Sequence, residues 1–118
     1  MKKTIVAIIL TTTLLLAGCG GVNNEFIDNT YEILSMCEDQ FGSNGKLSKD
    51  DEIRSKWDAY DAKYGDSSGK KKEVYENLQG AFHATMAYSL SAVLGDESRA
   101  SKNKSDFNEY KSKVEELL

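Results

Sequence analysis

The 118-residue chain contains no proline, two cysteines (Cys19 and Cys37) and one histidine, His83. Without proline, nothing interrupts a helix from within. One histidine leaves no second imidazole to share a metal, and a zinc site needs three or four ligands. A lone histidine on a mostly apolar segment reads as a packed or partly exposed residue of the fold. No glycine loop that could cradle a phosphate is present, and no glycine-flanked serine turn. No segment alternates apolar and polar residues cleanly enough for a strand. Between Asn77 and Gly95 there is no Asp, Glu, Lys or Arg. These absences predict an all-α chain that is not an enzyme and holds no cofactor.

The chain starts with Met1-Lys2-Lys3, continues as an apolar run from Ile5 to Leu16, and then reads Leu16-Ala17-Gly18-Cys19. A basic start, a short apolar core and small residues before a cut describe a secretory signal. The run is much shorter than the roughly 20 apolar residues of a membrane span. Small residues followed directly by a cysteine resemble the lipobox of bacterial lipoproteins. The resemblance covers the first 19 residues. It implies cleavage before Cys19, a diacylglyceryl group on its thiol, and export to the bacterial cell envelope with a lipid anchor. A single acyl chain binds a bilayer only marginally, so two chains on one sulfur matter. The implied division is 1–18 signal peptide, 19–23 lipidated cysteine and short tether, 24–118 helical domain. Gly20 follows the cysteine, and the envelope type of the host stays open.

Loss of 1–18 removes Lys2 and Lys3 and no acid, which leaves thirteen basic and nineteen acidic residues, a net charge of −6. An acidic domain is a poor ligand for nucleic acid. It is also mildly repelled by an anionic membrane surface, so the acyl chains must do the anchoring. With Cys19 acylated, Cys37 has no partner for a disulfide, and the domain depends on its core. Cys37 lies at helical spacing from Leu34 and Phe41, which predicts a buried small hydrophobe.

Glycine and serine clusters divide the domain into four helical runs. The first is expected over about Asn24 to Phe41, capped by Asn24 and stopped by Gly42, with Ile27, Tyr31, Leu34, Cys37 and Phe41 as its buried stripe. The second is expected from Ser48 to Tyr64. Ser48 would cap it, acids at Asp50, Asp51 and Glu52 suit its first turn, and Ile53, Trp57, Tyr60 and Tyr64 form its stripe. The third, Lys70 to Leu94, should be the centre of the fold. Leu78, Phe82, Thr85 and Ser89 line one side, extended by Val74 and Val93. Gly80, Ala84, Ala87 and Ser91 form a second side of small residues that admits a close neighbour. Its polar residues argue against a membrane span. The fourth is expected over about Ser105 to Leu118 on Phe107, Tyr110, Val114 and Leu117, after a polar connection from Asp96 to Lys104 that is open to being partly helical. The fold class predicted is a small bundle of about four helices. Lys70-Lys71-Lys72 reads as a solvated face.

The turn Asn44-Gly45-Lys46-Leu47-Ser48 resembles the middle of an EF-hand loop. That resemblance would make Asn44, Ser48 and Asp51 weak calcium-ligand candidates. The first and third positions fall on Gln40 and Gly42, which bring no carboxylate, so the ligand set is too poor in hard oxygens for a metal site to be expected.

By elimination, the domain reads as a membrane-anchored interaction module. Its partners would be the lipid bilayer, through acylated Cys19, and a protein at the envelope. Tyr31, Tyr60, Tyr64, Tyr75, Tyr88 and Tyr110 could serve both core and contact surface. Size, anchor and helix content resemble exclusion or immunity lipoproteins of phages and conjugative elements. Two alternatives stand beside this. One is a ligand-binding envelope lipoprotein holding calcium or a small apolar molecule. The other is a structural envelope adapter. A binder of apolar molecules should have an internal cavity lined by the third helix, whereas an interaction module should have a filled core and an exposed aromatic patch.

Overall fold

The computed structural model describes residues 22–43 and 50–118. Four helices account for nearly all of them: α1 (Asn24–Gly42), α2 (Asp50–Tyr64), α3 (Gly69–Leu94) and α4 (Glu97–Leu117). Among the described residues there is no strand. The signal segment 1–18, Cys19, and the turn residues Asn44 and Ser48 lie outside them.

The start of α1 is set by Asn23, whose side chain accepts a hydrogen bond of 2.9 Å from the Phe26 amide. The expected cap, Asn24, is the first helical residue instead. The buried stripe shifts with it, to Phe26, Thr30, Ile33, Leu34, Cys37 and Gln40. Leu34 and Cys37 are buried as expected, Ile27 and Phe41 are half-buried, and Tyr31 is 40% exposed. The sequence pattern favoured five apolar residues. Packing instead takes Thr30 and Gln40, because buried polar partners satisfy both (below).

The stripe of α2 is as expected, with Ile53, Trp57, Tyr60 and Tyr64 all buried. In α3 the expected row of Val74, Leu78, Phe82, Thr85 and Ser89 is buried, and α3 packs against each of the other helices. A left-handed Gly95 (φ 74°) ends it. The Gly95 and Asp96 amides return to the Ala92 and Ser91 carbonyls, which closes the helix end. Asp96 then caps α4 by accepting from the Arg99 amide. The polar connection expected from Asp96 to Lys104 is therefore helix from Glu97 onward. A cap two residues beyond the preceding helix leaves no room for a loop.

Candidate contact surface on the third helix

Three sides of α3 are used differently. The side of Leu78 faces α1 and α2. There Phe82 stacks on Trp57, with ring centroids 5.1 Å apart and planes 13° from parallel. The side of small residues faces α4. A side chain on Gly80 would meet the Tyr110 ring at 2.5 Å, so only glycine admits that ring. Ala84 and Ser91 are buried on the same side, while Ala87 is exposed.

The third side faces outward. At 3.6 residues per turn, Leu90 and Leu94 lie roughly 120° and 160° round from Leu78. Leu90 is 57%, Val93 56% and Leu94 70% exposed. His83 and Ala87 are exposed on this side too, and Met86 is half-buried. No charge occurs on it from Leu78 to Leu94. The expectation that Val93 extends the core is thus corrected. Its spacing from Ser89 suits the stripe, but α3 runs on past the end of α1. Ser89 already bonds to Gln40, close to the last turn of α1, so the next turn of α3 has less to pack against. The exposed surface is also aliphatic rather than the aromatic patch expected. Tyr60 and Tyr64 are buried, Tyr75, Tyr88 and Tyr110 are half-buried, and Tyr31 alone of the tyrosines is exposed.

The same end of the bundle holds a buried polar knot. Gln40 donates to Asp50 Oδ1 and to Ser89 Oγ, each at 2.7 Å, and Ser89 donates to Asp50 Oδ1 at 3.0 Å. Three helices meet there, and all three side chains are buried. A second buried pair joins α1 to α2. Thr30 donates to the Phe26 carbonyl, so the Tyr60 hydroxyl donates to Thr30 at 2.8 Å. Ser89 and Tyr60 lie on the stripes expected from spacing, but their partners Thr30, Gln40 and Asp50 were not legible as core residues, because polar residues at those positions read as solvent-facing. Burial pushes the Tyr60 hydroxyl well above its ordinary range. Burial also pushes the Cys37 thiol up to about 11, which suits a packed group rather than a reactive thiolate.

The remaining candidates are dispersed. His83 is exposed on the outward side of α3. Asp51 is exposed in the first turn of α2. Among the described residues, no three His, Cys, Asp or Glu side chains come together as a metal site requires, and no helix is long and apolar enough to cross a membrane. Two grooves are notable. One of about 150 Å³ lies between α1 and α2 over Ile33, Tyr60 and Tyr64. It is bridged by Lys56–Glu32 (3.0 Å), while Lys63 on its rim pairs with Glu25 (2.9 Å). The other, about 290 Å³, lies at the corner of α3 and α4 beside Tyr88, Ala92 and Gly95. Comparison with known proteins adds no relative: no family model, no curated protein and no solved structure matches the chain.

Proposed function

We propose that this chain is an exported bacterial lipoprotein, anchored at the envelope through Cys19, whose helical domain acts as a protein-contact module. The observation that carries this is Leu16-Ala17-Gly18-Cys19 in register behind a basic start and an apolar run. The contact surface it would use is the outward side of α3, because uncovered aliphatic side chains in one patch mark interaction sites. Size, anchor and helix content resemble exclusion or immunity lipoproteins, so the role proposed is to block an incoming partner close to the membrane. Fractionation with acyl labelling tests the anchor. Cys19→Ser should release or mislocalise the protein and abolish the label, and label retained on that variant refutes the anchor.

The tether sharpens the mechanism. Cys19 and the cap Asn23 are separated by Gly20, Gly21 and Val22 alone. Four extended residues reach at most roughly 14 Å, so the anchored domain stays at the bilayer. An insertion of about 30 Gly/Ser residues after Gly21 should weaken an interception role while leaving lipidation and folding intact. Full activity with the insertion excludes interception at the membrane.

A further inference from the structure

We infer that the partner seated on the outward side of α3 is a second copy of this chain, in a parallel pair formed on the membrane; this rests on the lipid anchor at Cys19. The spacing on that side is a short seam. His83, Met86, Leu90 and Val93 follow one another at three, four and three residues, with Ala87 and Leu94 alongside. This is the a/d repeat with which two helices pack against each other. Leu90, Val93 and Leu94 are more than half exposed, and no charge interrupts the seam. Elsewhere the domain has a net charge of −6, so two copies meet with least repulsion on this uncharged side.

The tether selects the arrangement. In a symmetric pair whose two-fold axis runs along α3, both helices point the same way. Both copies of Asn24 then lie at the same end, as two anchors in one bilayer require. In the antiparallel pair the two copies of Asn24 lie at opposite ends. With α3 standing upright on the bilayer, one copy of Asn24 in that pair is lifted off by up to the length of α3, 26 residues or about 39 Å at 1.5 Å each, which a tether reaching roughly 14 Å does not span.

The seam also explains why the anchor matters. It runs from His83 to Leu94, about 17 Å of helix. Its six side chains cover far less than the roughly 800 Å² per partner of a standard stable interface. Free in solution, the pair does not form. Anchors in a common bilayer align the copies and raise their effective concentration, which makes a small interface sufficient.

Thiol cross-linking of the full-length protein in its own membranes tests this. The native cysteines do not interfere, since Cys37 is buried and Cys19 carries the acyl group in this reading. Single variants His83→Cys, Leu90→Cys and Val93→Cys are compared with Asp58→Cys on the exposed side of α2. A parallel pair brings identical residues together along the whole seam. All three seam variants should therefore give a cross-linked dimer at least ten-fold above Asp58→Cys, and Leu90→Glu should reduce the Val93→Cys product at least five-fold. All sites are exposed, so folding is preserved, and circular dichroism verifies it. Acyl-labelled, membrane-bound protein with no excess over Asp58→Cys overturns the pair and leaves the anchor standing. A product at only one seam position points to crossed or antiparallel contact and also overturns it. Wild-type protein that takes no acyl label overturns the anchor, and the membrane-aligned pair falls with it.

Discussion

The α3–α4 pair and the packing of α2 on α1 and α3 are held by opposite means. α3 and α4 are joined through the two-residue corner Gly95-Asp96 and approach closely, with the Tyr110 ring lying flush on Gly80. Nearer the corner, the Asn103 amide donates across to the Ser91 hydroxyl at 3.2 Å. α2 is held instead by rings that keep backbones apart. Trp57 stacks on Phe82 and Tyr75, and Tyr64 meets Phe26 edge-on at 4.8 Å. Lys71 sits over both Phe26 and Tyr64, at 5.6 and 5.9 Å. Small residues shorten the distance between helices, and the Tyr110 ring fills the space over Gly80. Large rings bury more surface per residue, but they leave the open groove between α1 and α2. One pair depends on the absence of a side chain, the other on the presence of a few large ones.

Removing a ring should therefore cost most. Trp57→Ala and Phe82→Ala are each expected to destabilise the domain by about 3–5 kcal/mol, the usual range for a buried aromatic. Denaturant melts measure it. Losses below about half a kcal/mol in both would mean the stacked rings do not hold α2 in place.

Adding a side chain to the close pair comes next. Gly80→Leu is expected to cost about 1–3 kcal/mol through overpacking against Tyr110. The control is Gly80→Ala alone and combined with Tyr110→Ala. The combined cost should be less than the sum of the two single costs, because the clash is removed once. Strict additivity would show that the two residues do not meet.

The polar knot bridges the two pairs and should behave differently again. Gln40→Leu leaves the buried Asp50 carboxylate without its amide donor, at a cost of about 1–3 kcal/mol. Replacing Gln40 and Asp50 together by Leu should recover part of that loss. If the double variant is no better than Gln40→Leu, desolvation of Asp50 is not the cause.

The smallest expected effect is the loss of stability at high pH. Cys37 has an ordinary value of 9.0, raised to about 11 by burial, and Tyr60 is raised from 10.0 by the same cause. Both groups are favoured neutral in the fold. Their contribution is complete below the ordinary values, where folded and unfolded chains hold the same protons. Above about pH 9 the unfolded chain loses the thiol proton first, so stability falls between about 9 and 11, and from about 10 upward for Tyr60. Thermal melts across that range should show a shallower decline for Cys37→Ala and for Tyr60→Phe than for the wild type. Parallel declines in all three would assign the loss to other groups.

Several elements could be read directly from the chain. The α2 stripe, the central position of α3, the glycine at its end and the burial of Cys37 all follow from spacing and turn residues. The start and stripe of α1 did not follow. Asn23 and Asn24 are equally good caps by residue type, and a shift of one position moves the whole buried face. The full length of α4 did not follow either, because a polar helix start and a polar loop have the same composition.

Composition and spacing alone determined an all-α bundle with four helical runs, since period and turn chemistry are local properties of the chain. Only the tertiary structure decided which face of each helix is covered. Thr30 and Gln40 became core residues because partners from other helices satisfy them. Val93 became a surface residue because α3 extends past the end of α1, which would have covered it. Burial depends on what packs opposite a side chain, and a helix's own sequence does not contain its neighbours.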